Sequence, residues 1–388
     1  MSKETWLIEP HGSLIFRDGR PFNFGDGAYA KSLDFPYPST ITGAVRTRAG
    51  LATVDGDLGK FTTELGDDVL QISVRGPLLV DINGNLLVHA PADCGVFEAN
   101  DKSGKLVPLK PLEESDGVLS NLNDLKLVGL EKNQKAKPHK MAPKFWYWSE
   151  FEKWLKEPKM EAVGLSTLGI GSLPKDKRTH VAIDYSTKAG KDGEIFGTSG
   201  LEFAQKEQRF GLAVQVDYGG FTGRISEGIA PLGAERRLAS WRESKQFALC
   251  PDEIKNKIVA ENYCRLVLLT PAIFDDGFLP KWLETANGVN VEITAAALNR
   301  YEVISGYDFK SKGPKPTRRM CPAGTVFFLR LNDVDIEKLN DLAIGNWVDK
   351  TWFNCISDNE QDRKDGFGLA ALGTWDGSYL KIEEALGE

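Results

Sequence analysis

One predicted helix combines residue types that bind phosphate. Pro38 followed by Ser39 is a favourable helix start. Ser39, Gly43 and Arg46 stand at i, i+4 and i+7, which places them on one face, while apolar residues occupy the other. The polar face would offer an anion a helix N-terminus, a hydroxyl, a bare glycine surface and a guanidinium. A capped amphipathic helix with a surface arginine explains the same pattern equally well.

A second stretch, residues 219–237, contains five glycines and three arginines. Flexible glycine backbone beside arginine suits a sugar-phosphate chain. The alternative is a structural bridge in which Glu235 pairs with Arg236 or Arg237.

A third stretch, residues 304–328, places five basic residues, Lys315 and Arg318 among them, in a loop broken by Pro and Gly. Aromatic residues bracket the loop, and basic residues beside aromatic ones fit single-stranded RNA. A solvated charge run is the alternative. Residues 132–148 combine lysines with an aromatic run that fits a core or a protein interface equally well.

Signatures of catalysis are weak. Gly366 to Ala371 matches G-x-G-x-x-A, but it lies too close to the C-terminus for a dinucleotide-binding βαβ unit. The pairs Asp67-Asp68 and Asp275-Asp276 are adjacent carboxylates, which point to opposite faces of a strand and are typical of polar turns. The four histidines are scattered, whereas metal-free RNA cleavage needs a positioned base and acid. We therefore expect a protein that is not an enzyme.

Cysteine, charge and length narrow the class of protein further. Neither the five cysteines nor the four histidines have the spacing of a zinc site, so we expect no metal and no cofactor. The length of 388 residues is enough for two or three domains. The sequence has no long apolar segment and no signal peptide, so we expect a cytoplasmic protein that does not bind a membrane. A net charge of −7 means that nucleic acid would bind through local patches on an acidic body.

These residues must be positioned by helices and strands, and the mixture of the two with hairpins predicts an α+β fold with antiparallel sheets. A hairpin is predicted around Asn83-Gly84. Further strands are predicted at Trp6 to Pro10, Gly12 to Arg17, Leu70 to Val74, Phe210 to Val216, Arg265 to Leu269 and Thr325 to Leu331. Helices are predicted at Ser39 to Ala49, Ser149 to Lys156, Pro251 to Ile258 and Asp335 to Leu342.

Two segments, 98–144 and 171–200, are predicted as long loops, which in compact proteins are usually functional or disordered. A boundary near residue 205 would divide the chain into a domain at 1–205, which carries both of these insertions, and a domain at 206–388.

Five segments, taken together, resemble one family. They are an R-D-G-R-P-F signature at 17–22, the helix at 38–46, a hairpin at 178–184 with 192–196, a block from 305–308 to 322–327, and a glycine loop at 366–369. In this order, and over nearly the whole chain, they resemble a CRISPR-associated RAMP (repeat-associated mysterious protein), the third subunit of the type III-B, or Cmr, RNA-guided effector complex. The family typically has tryptophan where Tyr307 stands, and the 98–144 insertion carries no family motif.

The resemblance implies two ferredoxin-like (RRM-like) domains and a glycine-rich loop near the C-terminus. It also implies a non-catalytic role: capping the 5′ handle of the crRNA and docking the large polymerase- or cyclase-like subunit beside backbone RAMP subunits. The first helix and the glycine loop would line the RNA groove, and the hairpin would intrude on the guide. The implied RNA-binding residues are Arg17, Ser39, Gly43, Arg46, Arg178, His180, Arg236, Gly366 and Gly368, to which the basic loop adds Lys315 and Arg318.

Two other functions stay open on the sequence. One is a RAMP endoribonuclease that processes precursor crRNA, against which the scattered histidines speak. The other is a metabolic enzyme of α+β fold, against which the missing cofactor motifs speak.

Overall fold

The computed structural model describes residues 3–17, 28–100, 102–113, 125–131, 135–205, 207–284, 289–308, 313–333 and 341–382. The strands in chain order are β1 (Glu4–Pro10), β2 (Ala28–Ala30), β3 (Ser73–Asp81), β4 (Leu86–His89), β5 (Cys94–Asn100), β6 (Ser103–Pro111), β7 (Val128–Leu130), β8 (Phe145–Tyr147), β9 (Glu161–Gly164), β10 (Gly169–Ile170), β11 (Lys175–Ile183), β12 (Gly190–Leu201), β13 (Ala204–Gln205), β14 (Gln208–Asp217), β15 (Gly228–Pro231), β16 (Leu238–Ser244), β17 (Tyr263–Leu268), β18 (Val289–Ala297), β19 (Glu302–Ile304), β20 (Tyr307–Asp308), β21 (Gly313–Pro314), β22 (Arg318–Met320), β23 (Val326–Asp333), β24 (Asn354–Cys355) and β25 (Leu369–Thr374).

The helices are α1 (Pro38–Thr53), α2 (Leu58–Glu64), α3 (Trp148–Lys156), α4 (Leu165–Leu168), α5 (Asp252–Glu261), α6 (Lys281–Glu284), α7 (Asp341–Thr351) and α8 (Glu360–Lys364), with 3₁₀ turns at Asp68–Gln71 and Ala234–Arg236. Among the strand pairs that the structure describes, β2 with β12 is parallel and the others are antiparallel. The prediction of a mixed α+β fold with mostly antiparallel sheets is therefore confirmed.

The larger sheet has the strand order β10-β8-β4-β3-β14-β1-β16-β15, with β13 added to β14. Strand β14 lies between β1 and β3, and β16 extends the same sheet to Ser244. The expected boundary near residue 205 therefore does not coincide with the end of this sheet. Pairing between strands far apart in sequence, which hydrophobic patterns do not encode, places residues 208–244 in the first sheet.

A second sheet, with the order β18-β23-β17-β25-β24, is built from the C-terminal third of the chain. Its buried face shares one hydrophobic core with the larger sheet, because Leu7 and Val80 of the first sheet cluster with Leu266 and Phe327 of the second. The opposite face of the larger sheet packs α1 into a separate core.

A buried ion pair also joins the two sheets. Asp93 follows β4 and Arg265 lies on β17, and their paired side chains are each 1% exposed. The Arg265 guanidinium also donates to the carbonyl oxygens of Trp154 (2.6 Å), Leu155 (3.3 Å) and Thr374 (2.9 Å). Because a buried charge without its partner costs several kcal/mol, this arrangement ties β17 to the loop after β4.

Several predicted elements are confirmed within a few residues. Helices α1, α3 and α5 match three of the four predicted helices, and β1, β14, β17 and β23 match four predicted strands. The hairpin of β3 with β4 is also present, with Asp81 accepting hydrogen bonds from the backbone N–H groups of Asn83 and Asn85 (both 2.9 Å). Gly84 takes φ +87° at the end of its turn, a conformation that glycine adopts without strain.

Other predicted elements differ. Gly12 to Arg17 forms isolated bridges rather than a strand, and Leu70 to Val74 begins in a 3₁₀ turn. The segment 171–200 is not a long loop but the hairpin of β11 with β12, and 98–144 contributes β6 and β7 to a small sheet. Charged residues on both faces of β11 and β12 remove the alternation of polar and apolar residues by which a strand is predicted. Residues 18–22 of the R-D-G-R-P-F signature and 335–340 of the last predicted helix lie outside the described residues.

Candidate nucleic-acid interface

The segment Ser13–Arg17 joins two predicted RNA-binding regions. On one side Leu14 pairs with Leu201 at the end of β12, with N···O distances of 2.9 and 2.6 Å. On the other side the N–H of Ala234 donates to the Ile15 carbonyl oxygen over 2.8 Å. The segment therefore brings together residues that are far apart in the chain. We call Arg17, Arg178, His180 and Arg236 the arginine surface.

Arg178 is the best-defined member of the arginine surface. Its Nη2 lies 2.7 Å from Oδ2 of Asp176, yet 53% of its side chain remains exposed. Asp176 also accepts a hydrogen bond from Ser13 (2.9 Å), and both partners lower the pKa of this carboxyl. The same contact raises the pKa of Arg178. The guanidinium is therefore oriented from one side and open to a phosphate from the other.

His180 lies on β11 opposite Phe196 of β12, and the two rings stack with centroids 5.1 Å apart at an angle of 17°. Its Nε2 lies 2.9 Å from the hydroxyl oxygen of Thr198. Further along the same strands Val181 and Ile195 pair and are exposed. The hairpin thus presents a half-buried imidazole followed by an apolar surface.

Arg236 lies in a turn with left-handed backbone, because Glu235 and Arg236 have φ of +59° and +51°. Glu235 pairs with Arg237 over 2.9 Å, which decides between the two pairings left open by the sequence. Arg236 is exposed and forms no ion pair with a residue that the structure describes. Arg17 is exposed as well and forms a backbone bridge with Ser32.

The expectation that Arg46 lies on the exposed face of α1 is wrong. Arg46 is 8% exposed, and its guanidinium donates to the Ile72 carbonyl oxygen (2.8 Å) and to Oδ1 of Asp365 (2.5 Å). The neighbouring Thr42 hydroxyl donates to the Asp365 backbone carbonyl oxygen over 2.7 Å. A second side of the helix is therefore covered, by the segment that follows α8.

Ser39 and Gly43, the other residues singled out on α1, are more accessible. Ser39 is half-buried, and Gly43 is exposed with no atom within 4 Å of the position that a Cβ would take. The exposed positions in the first half of α1 are thus Thr40 and Gly43, and Arg46 is not among them.

The expectation that Gly366 and Gly368 present open backbone to a ligand is also wrong. Both take positive φ, +97° and +82°, but both are buried. A Cβ on Gly366 would lie 2.7 Å from the Gly76 carbonyl oxygen, and one on Gly368 would lie 2.9 Å from the Ser357 nitrogen. These glycines allow the protein's own strands to approach each other, so the glycine loop joins the two sheets.

The two basic-loop residues differ from each other. Lys315 is exposed, whereas Arg318 makes a bidentate pair with Asp362 at 2.7 and 2.9 Å. Asp362 is nearly buried and lies on α8, three residues before Asp365. Segment 360–365 therefore binds both Arg46 and Arg318, and its two aspartates were not among the predicted residues. The run Asp362-Arg363-Lys364-Asp365 before Gly366 was the available signal.

A second group missed by the sequence analysis surrounds Tyr301. The guanidinium carbons of Arg319 and Arg300 lie 4.8 and 5.9 Å from the centroid of its exposed ring. The sequence did contain a signal for this group, because Arg319 is adjacent to Arg318 in the predicted basic loop.

Metal-ligating clusters of three or more His, Cys, Asp or Glu residues are absent from the part of the chain that the structure describes. All five cysteines are free thiols. Over the same described ranges, no helix has both the length and the apolar character needed to cross a membrane.

Comparison with known proteins gives one match at the level of family. The model of the family described as CRISPR-associated protein (Cas_Cmr3) matches residues 6–375. No curated protein matches the chain.

Among solved structures, the chain is similar to one in the cryo-EM structure of the Type III-B Cmr-beta bound to cognate target RNA. The TM-score is 0.49 and the identity 16%, over 99% of this chain and 100% of that chain. It is also similar to a chain in the crystal structure of the Csm3-Csm4 subcomplex in the type III-A CRISPR-Cas interference complex. There the TM-score is 0.35 and the identity 12%, over 86% of this chain and 95% of that chain.

Proposed function

Because the chain belongs to the CRISPR-associated protein family Cas_Cmr3, we propose that it is a non-catalytic, RNA-binding subunit of a type III-B CRISPR effector complex. In this cytoplasmic role it caps the 5′ handle of the crRNA and docks the large polymerase-like subunit beside the backbone RAMP subunits. Capping needs fixed, exposed cations that track a sugar-phosphate backbone.

The observation that carries the proposal is the arginine surface. Arg17, Arg178 and Arg236 come from three distant segments, and all three are exposed around Ser13–Arg17. Arg178 keeps half of its side chain open although it is oriented by Asp176. On a chain of net charge −7, exposed arginines on three segments that contact one another support specific capture of RNA rather than non-specific coating.

The strand orders support two ferredoxin-like units. The four main strands of the larger sheet have the order β3-β14-β1-β16, so the first and third in the chain, β1 and β14, are central. The second sheet has the order β18-β23-β17-β25, so its first and third strands, β17 and β23, are central as well. Helices α1 and α6 connect the first and second strands, and α7 and α8 precede β25. This order supports the β-α-β-β-α-β arrangement that we propose for both units, with a 3₁₀ turn and loops in place of the second helix in the first unit.

The test compares the full chain with a triple variant, Arg17→Gln, Arg178→Gln and Arg236→Gln. We expect handle-RNA affinity to fall at least about tenfold, because charge-assisted phosphate contacts are lost. The matched control is Arg242→Gln, since Arg242 is half-exposed and pairs with Glu9 on β1. Equal affinity of the triple variant and the control would contradict handle capture by the arginine surface.

The endoribonuclease alternative is tested separately. Wild-type protein is incubated with precursor repeat RNA without metal ions, and the RNA is analysed for site-specific cleavage. We expect intact RNA. Cleavage at one position in the repeat would overturn the non-catalytic role.

A further inference from the structure

The ribbon of β19 with β22 has one buried face and one exposed face. Its register pairs Glu302 with Met320 and Val303 with Arg319. Because side chains alternate along a strand, Glu302, Ile304 and Met320 share the inner face, and Ile304 and Met320 are buried there. The neighbouring Tyr301, together with Val303 and Arg319, falls on the outer face, and all three are exposed.

The outer face carries positive charge that no acidic side chain in the described structure neutralises by an ion pair. The guanidinium of Arg319 lies 4.8 Å from the centroid of the Tyr301 ring, and that of Arg300 lies 5.9 Å from it. The adjacent Arg318 behaves differently, because Asp362 holds it through two hydrogen bonds. Of the two arginines in β22, Arg318 is thus paired with a carboxylate, whereas Arg319 faces solvent beside an aromatic ring.

We propose that this face, formed by Arg300, Tyr301, Val303 and Arg319, is a stacking platform for an unpaired base of single-stranded RNA. Unpaired bases stack on aromatic rings and on guanidinium planes, and arginine also contacts the neighbouring phosphates. The ring is 46% exposed, and the guanidiniums are already placed over it. Val303 extends the platform with an apolar surface.

A nucleic-acid occupant fits these observations better than an acidic protein segment. Carboxylates would neutralise the two guanidiniums but would leave the exposed Tyr301 ring and Val303 without a partner. A nucleotide provides both a flat apolar base and a negative phosphate. The platform rests on the proposed function, and it adds a second contact for the same RNA, separate from the arginine surface.

The experiment separates stacking from charge. A 12-nucleotide oligouridine and an abasic ribose-phosphate oligomer of equal length are titrated against wild type, Tyr301→Ala and Arg319→Gln. Tyr301→Ala should weaken oligouridine binding about tenfold, as expected for one lost stacking contact, and leave abasic binding unchanged. Arg319→Gln should weaken binding of both oligomers and reduce the slope of log affinity against log salt by about 0.7.

Arg330→Gln is the matched control, because Arg330 is also half-exposed, lies on β23 of the second sheet and approaches Glu292 at 3.9 Å. We expect it to bind both oligomers like wild type. Thermal melting of each variant verifies folding, which these exposed positions should not disturb.

The outcomes distinguish the platform from the proposed function. If Tyr301→Ala and Arg319→Gln bind both oligomers like wild type while the arginine-surface variant loses handle binding, the platform is wrong and the proposed function stands. Unchanged RNA binding with loss of another complex subunit would make this face a protein interface and also overturn the platform. If wild type binds neither oligomer nor handle RNA, both proposals fail.

Discussion

The guanidinium of Arg46 donates to the carboxylate of Asp365 over 2.5 Å, although 319 residues separate them in sequence. The two side chains are 9% and 14% exposed. This contact fastens α1, which packs on the larger sheet, to the segment that leads into β25 of the second sheet. Arg46, which the sequence suggested as a phosphate ligand, therefore holds two parts of the fold together.

Replacing Arg46 with Ala should lower the free energy of unfolding by about 3 kcal/mol, because Asp365 would lose its partner in a nearly buried site. RNA affinity per folded molecule should stay at the wild-type value. Urea unfolding and RNA titration below the unfolding range measure the two quantities. The reverse result, weaker RNA binding at unchanged stability, would restore the phosphate site on α1.

Glycine substitutions should have opposite effects at different positions. Gly366→Ala and Gly368→Ala should each destabilise by more than about 1 kcal/mol, because both positions combine positive φ with backbone atoms less than 3 Å from the new Cβ. Gly43 is exposed and lies away from both ends of α1, so Gly43→Ala should stabilise the folded protein by about 0.5–1 kcal/mol. Thermal melting compares all three. Equal small changes at the three positions would contradict the packing role of the glycine loop.

Arg318→Gln should affect stability more than RNA binding. Asp362, of which only 6% of the side chain is exposed, would lose two charge-assisted hydrogen bonds, a cost of about 1–3 kcal/mol. Chemical unfolding is the measurement, with Lys315→Gln as the control, since Lys315 is exposed and forms no ion pair with a described residue. A variant that keeps wild-type stability and loses RNA affinity would assign Arg318 to the RNA instead.

Precursor RNA should stay intact with both wild type and His180→Ala, since we propose that the protein does not cleave RNA. His180→Ala should weaken handle binding or complex assembly, because the ring stacked on Phe196 is removed. His180→Phe keeps a flat ring at the same place and should restore most of that loss. Electrophoretic assays of precursor RNA and of assembled complex measure both effects. Metal-independent cutting by wild type that disappears in both variants would favour the nuclease.

Stability should fall as the pH decreases below 6.5, in part through His89. Burial lowers the pKa of His89 to about 4, and its ring packs against Phe35 and Phe145 at centroid distances of 5.6 and 4.5 Å. Between pH 6.5 and 4 the unfolded chain binds the proton and the folded chain does not, so protonation favours unfolding.

At pH 5 this difference costs at most about 2 kcal/mol relative to pH 7. His89→Phe should remove that part of the pH dependence and leave the part that comes from carboxyl groups. Urea unfolding of both proteins at pH 7 and pH 5 measures the difference. Parallel pH profiles would show that His89 is protonated in the folded protein.

Local elements were predictable because their signals are local. The helix start at Pro38, the turn at Asn83-Gly84 and the apolar strands β14, β17 and β23 each follow from a few consecutive residues. The hairpin of β11 with β12 was recognisable only by resemblance, since its exposed strands lack the alternation of polar and apolar residues that marks a half-buried strand.

The surroundings of the site residues were not predictable, because they depend on pairings across the whole chain. A helical projection places Arg46 opposite the apolar face of α1, but it cannot show that Asp365 covers that side. The resemblance pointed to Arg178 and Arg236, but their location around Ser13–Arg17 follows from strand pairing. The sequence thus indicated which residues have side chains suited to RNA. It did not indicate which of those side chains stay exposed in the folded protein.

The buried pair of Asp93 with Arg265 has a consequence for how the protein is synthesised. During translation Asp93 emerges from the ribosome well before Arg265, and the larger sheet needs both its ionic partner and the apolar cover supplied by β17 and β23. The N-terminal half therefore cannot reach its final structure while the rest of the chain is unmade. A gene split between the two sheets should therefore yield two fragments that become stable only when they are produced together.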